Sequence, residues 1–96
     1  MKIENEKYLE RKLKAEIEKL GGWCLKMPTL HIAGLPDRLC LLPGGVALFA
    51  ETKTTKKRPK LLQRWMHTKL RKLGFKVYVI DTSEDIKKLL YENRKK

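Results

Sequence analysis

Two acids and a lysine are spaced so that a β-hairpin would bring them together. Asp37 ends the run Gly34-Leu35-Pro36-Asp37 just before an apolar segment, and Glu51-Thr52-Lys53 closes the next one, which begins at Val46. Residues two apart on a strand share a face, so Glu51 and Lys53 project together. If the two segments pair across the turn Pro43-Gly44-Gly45, the start of one lies beside the end of the other. Asp37 then meets Glu51 in spite of the thirteen residues between them. Two carboxylates at a sheet edge form a hard-oxygen site suited to Mg2+ or Mn2+, and without a cation their repulsion would leave one of them holding a proton. A cation held there would polarise a phosphate oxygen and lower the pKa of a bound water, while the lysine would place fixed positive charge where a phosphorane gains negative charge. Taken without Asp37, the Glu-x-Lys pair reads equally well as a strand-end salt bridge.

The charge distribution points to a polyanion. The chain carries 23 Lys and Arg against 11 Asp and Glu, for a net charge of +12. Residues 52–80 hold ten of the basic residues and no acidic one, so the remainder nets only +2. A surface of one sign concentrates nucleic acid or an anionic membrane, the alternative being a merely solubilising face. The first twenty residues are highly charged and lack the apolar core of a signal peptide, and the longest apolar run, 46–50, is far too short to span a bilayer. The expectation is a soluble cytoplasmic protein. Cys24 and Cys40 have no metal-ligand spacing with each other or with His31 and His67, so they read as reduced, buried thiols and structural zinc is not expected.

Ninety-six residues make one domain, 1–96, with one core. Leu9, Leu13, Ile17 and Leu20 form a helical stripe within 3–20, stopped by Gly21-Gly22. Strands are expected at 23–27, 38–42 and 46–53. The basic loop 54–58 leads to Pro59, which suits the first turn of a helix. That helix would turn Leu62, Met66, Leu70 and Leu73 inward and end at Gly74. Residues 75–80 are apolar enough for a central strand. Thr82 with Asp85 resembles a capping box that opens a last helix, with Ile86, Leu89 and Leu90 inside and frayed residues at 93–96. Three consecutive strands imply an antiparallel meander, and the strand-helix-strand unit that follows makes the last two strands parallel. The expected product is an α/β fold, a mixed four-stranded sheet flanked by helices in the order αβββαβα.

With Gln63 on the second helix and Gly74-Phe75 before an apolar strand, these motifs resemble the VRR-NUC domain of the PD-(D/E)XK nuclease superfamily, over nearly the whole chain from Tyr8 to Leu90. The resemblance implies a restriction-endonuclease-like sheet and a metal-dependent endonuclease using Mg2+ or Mn2+. It places Glu10 as the acid of the first helix, Asp37 and Glu51 as metal ligands, Lys53 as the catalytic lysine and Gln63 as the glutamine of the second helix. The backbone carbonyl of Thr52 is a further candidate metal ligand. Where the family often carries arginine in the loop before Gly34, this sequence has Ala33.

Glu10 lies on the stripe that continues to Leu13, and an acid there is costly unless paired or metal-bound. Its alternative is an exposed residue pairing with Arg11 or Lys14. Gln63 borders the apolar stripe and reads either as a bridge to Lys53 or phosphate, or as a solvated glutamine. Lys56, Lys57, Arg58, Lys60, Arg64 and His31 are the expected DNA contacts. His67 reads as a helix-surface residue, and Trp65 as core or a dimer contact. Free-standing members of the family resemble Holliday-junction resolvases, so structured DNA is the expected substrate. Two symmetric cuts in a four-way junction would call for a twofold homodimer. The alternative is a non-catalytic basic DNA-binding module. A short-site restriction enzyme fits less well, because so small a chain leaves little protein for reading bases.

Overall fold

The computed structural model describes residues 5–28, 32–53 and 60–94. Its elements are α1 (Glu6–Lys19), β1 (Trp23–Lys26), β2 (Arg38–Leu42), β3 (Val46–Thr52), α2 (Leu61–Lys72), β4 (Lys76–Ile80) and α3 (Ser83–Asn93), which is the expected order αβββαβα. The four strands form one sheet in the order β1-β2-β3-β4, antiparallel for the first three and parallel between β3 and β4.

Each element starts and stops for a local reason. α1 begins where the Asn5 side chain accepts the N–H of Tyr8 at 2.8 Å, and the N–H of Gly22 closes its last turn on the carbonyl of Ile17 at 3.0 Å. The β2–β3 turn uses Gly44 and Gly45 at φ 89° and 78°, a left-handed conformation that a side chain resists. α3 opens where the Asp85 carboxylate accepts the N–H groups of Asp81 and Thr82 at 2.8 and 3.0 Å.

The core lies on one face of the sheet. Leu9, Leu13 and Ile17 of α1 and Ile86 and Leu89 of α3 pack against Cys24, Cys40, Leu42, Leu48, Ala50 and Ile80. Cys24 and Cys40 are free thiols directly opposite each other on β1 and β2, with their sulfurs 3.9 Å apart. Every second residue of β3 points into this core, so Ala47, Phe49 and Glu51 face the other side, which α2 covers at one end.

Two expectations need correction. Strand β4 is not central but forms an edge of the sheet. Its apolar character follows from cover on both faces, since α2 and α3 both pack on it. The second correction concerns α2, whose only fully buried residue is His67, while Leu62 and Leu73 are exposed. Met66 and Leu70 are shared by the expected stripe and the one that faces inward, so the helix is rotated by a fraction of a turn from the expected setting. Among the described residues no helix is long and apolar enough to cross a membrane.

Candidate active site

At the carboxyl end of β3 the chain changes from apolar to polar without leaving the interior. Glu51 and Thr52 are each 0% exposed, and the Lys53 side chain is largely covered. Alternation sends Glu51 toward α2 and Thr52 toward α1. Glu51 has neither carboxylate oxygen in a hydrogen bond. Its nearest polar neighbours are Lys53 Nζ, 3.5 Å from Oε2, and His67 Nε2, 3.6 Å from Oε1. A buried carboxylate without hydrogen bonds is costly to ionise. Burial first, then the charge of Asp37, pushes the Glu51 pKa up, against the pull of Lys53.

Asp37 is brought toward Glu51 by the sheet. The β2–β3 register pairs Arg38 with Ala50, so Asp37, immediately before β2, lies near the end of β3, where its charge bears on Glu51. The Asp37 carbonyl accepts the N–H of Met27 at 2.7 Å, which continues the β1–β2 ladder by one rung. Burial raises the Asp37 pKa as well, with Lys53 opposing and the charges of Glu10 and Glu6 adding to the rise. Lys53 and Glu51 thus lie 3.5 Å apart at one end of the sheet, with Asp37 near enough for its charge to act on Glu51.

The other candidates are distributed differently. Glu10 sits on the core side, where its carboxylate accepts Arg38 Nη2 at 3.2 Å and the Thr52 hydroxyl at 3.4 Å. This pairing replaces the one with Arg11 or Lys14 drawn as an alternative from sequence. Glu6, one helical turn earlier, is a residue that sequence reasoning missed, and its charge bears on both Asp37 and Glu51. Its signal was the i, i+4 spacing to Glu10, which puts both acids on one face of α1. Gln63 caps its own helix, its Oε1 accepting the N–H of Lys60 at 2.9 Å. Lys60, the N-cap of α2, and Arg64, one turn into the helix, are exposed. Lys56, Lys57, Arg58 and His31 lie outside the described residues.

His67 is the second residue missed. It is 2% exposed rather than on the helix surface, and it faces Glu51 because it lies four residues after Gln63 on the inward side of α2. Burial, with Arg71 and Lys53 nearby, holds the imidazole below its usual pKa. Trp65, by contrast, is 57% exposed and not part of the core.

These side chains fit a divalent cation. A fully buried carboxylate whose oxygens accept no hydrogen bond, a second acid whose charge acts on it and a lysine alongside make an arrangement whose electrostatic conflict a cation would relieve. Among the described residues no group of three or more His, Cys, Asp or Glu side chains is already gathered for a metal.

A solved structure titled VRR_NUC domain superposes with a TM-score of 0.83 at 32% sequence identity, covering 94% of this chain and 97% of the other. A curated relative, "Putative nuclease p44" of Acyrthosiphon pisum secondary endosymbiont phage 1, is 36% identical over 90 residues, which is 94% of this chain and 96% of that protein. No family model matches the sequence. On the strength of these two likenesses, the chain belongs to the VRR-NUC family of nucleases.

Proposed function

We propose that this chain is a divalent-cation-dependent endonuclease that hydrolyses phosphodiester bonds in structured DNA, Holliday junctions foremost. The observation that carries the reading is the state of Glu51, sealed from solvent, without a hydrogen bond at either carboxylate oxygen and near enough to Asp37 for the second acid's charge to act on it. Asp37 and Glu51 would hold Mg2+ or Mn2+, with the Thr52 carbonyl as a further ligand and Glu6 and Glu10 adding negative charge from α1. Mg2+ sites of this kind use one or two carboxylates and complete the shell with water and substrate phosphate, so a protein cage of three or more side chains is not required. When bound, such an ion polarises a phosphate oxygen and favours hydroxide over water.

The chain's own residues supply the rest. Hydrolysis forms a bond from a water oxygen to phosphorus and breaks the bond to one sugar oxygen; the attacking water releases a proton to solvent and the departing oxygen takes one up from solvent. Lys53, fixed beside Glu51, offers positive charge to the phosphorane and orients the incoming water. Gln63, Lys60 and Arg64 flank the site on α2 and suit the phosphate backbone, as do Lys56, Lys57, Arg58 and His31 by sequence. Contacts of this kind position DNA without reading its bases.

A four-way junction requires two symmetric cuts, and a single site of this type per chain makes a twofold homodimer part of the proposal. Support comes from α2, whose Leu61, Leu62, Trp65 and Leu73 are exposed although apolar. The test is a metal titration on junction, flap and linear duplex substrates with wild type and the Asp37→Ala and Lys53→Ala variants. The proposal predicts metal-dependent cutting by wild type, strongest on the junction, and little by the variants. Wild type that binds DNA and leaves every substrate intact would instead make the chain a non-catalytic DNA-binding module.

A further inference from the structure

Behind the buried glutamate stands a buried histidine that the reaction described above does not use. His67 Nε2 is within 3.6 Å of Glu51 Oε1, slightly beyond hydrogen-bond length, and has no hydrogen-bond partner. Oε2 of the same carboxylate faces Lys53 Nζ at 3.5 Å. The helix turns this imidazole inward while it leaves Leu61, Leu62 and Leu73 in solvent. Fold stability does not explain that choice, because replacing a buried polar pair by well-packed apolar side chains is often neutral or stabilising.

We infer that His67 is a positioning residue: its Nε2–H holds Oε1 of Glu51 and fixes the rotation of the carboxylate that receives the cation. The inference rests on the cation-dependent reading above. A glutamate's terminal torsion is broad and soft, so without a second contact the carboxylate would be ordered only by the ion itself. Metal-bound carboxylates are ordinarily held by such an outer hydrogen bond, whose loss typically weakens metal affinity or activity about 10–100-fold. The imidazole ring suits this task because its Nε2–H is a donor on a rigid plane that points at Oε1. Each oxygen of Glu51 then has its own keeper, His67 from α2 and Lys53 from the same strand.

The test uses Mn2+ alone, without DNA, and reads free Mn2+ by electron paramagnetic resonance in wild type, His67→Phe and His67→Gln. The expected result is an affinity about 10–100-fold weaker in the Phe variant and largely restored in the Gln variant, whose amide N–H reaches the same oxygen. A second measurement needs no substitution. Nitrogen-15 NMR of the wild-type imidazole with Mg2+ bound should show Nε2 still protonated, and it decides alone if the Phe variant fails to fold. A Phe variant that binds Mn2+ as tightly as a competent wild type overturns the role of His67 and leaves the cation reading standing. An Nε2 that is unprotonated and bound to the ion, its proton carried on Nδ1 instead, makes His67 a direct ligand and likewise overturns the positioning role. Wild type that binds no Mn2+ overturns both.

Discussion

Asp37 immediately precedes Arg38, the partner of Ala50, and its charge bears on Glu51, so the two carboxylates of the site come from the two arms of one hairpin. Lys53 shares the face of Glu51 and lies 3.5 Å from its Oε2. This cluster separates binding from cleavage. Lys53→Ala should lower the rate of cutting about 10²–10³-fold, the usual loss for one preorganised donor. Asp37→Ala should remove detectable cutting. DNA affinity measured in parallel should change little, because the rest of the basic segment remains.

The same cluster predicts how the cation-free protein responds to pH. The folded-state pKa values of Asp37 and Glu51 are raised, mainly by burial. Their contribution to stability is therefore fully present below the ordinary carboxylate pKa of about 4, and it is lost as pH rises through the raised values. Glu51→Gln cannot ionise and escapes that loss. Without divalent ions, its melting temperature should match wild type near pH 4 and exceed it at pH 7, by about 4–8 °C for each 1 kcal/mol relieved. Equal melting temperatures at both pH values would show that Glu51 ionises freely in the fold.

Gly34 tests the approach of α2 to the loop that carries Asp37. Its φ is +83°, and a Cβ there would stand 2.9 Å from the Leu62 carbonyl oxygen. Gly34→Ala meets both backbone strain and a backbone contact that cannot move aside. A loss of about 2 kcal/mol, or roughly 10 °C in melting temperature, is expected in thermal denaturation.

The exposed apolar side of α2 bears on the dimer. Trp65→Glu should yield a monomer in sedimentation velocity under conditions where wild type sediments as a dimer. Wild type that stays monomeric both free and on junction DNA would remove the dimer from the account.

Much of this arrangement was legible because it follows from local rules. Alternation along β3 puts Glu51 and Lys53 together, the Pro43-Gly44-Gly45 turn sets the hairpin, and the register then delivers Asp37. What depended on how elements dock was not legible. α2 has apolar residues nearly all round, at Leu61, Leu62, Trp65, Met66, Leu70 and Leu73, so its periodicity left the rotation undecided and hid His67. Glu6 and Glu10 share a face of α1, and only the docking of that helix on the sheet shows that Arg38 engages Glu10 while Glu6 bears on both site acids.

The most direct check on the central claim is a calorimetric titration of Mg2+ or Mn2+ into wild type and Asp37→Asn, both free of DNA. Saturable binding by wild type, and its loss in a variant that keeps its fold, is the predicted result. Equal binding by the two proteins, or none by wild type, would contradict the assignment of Asp37 and Glu51 as partners around one ion.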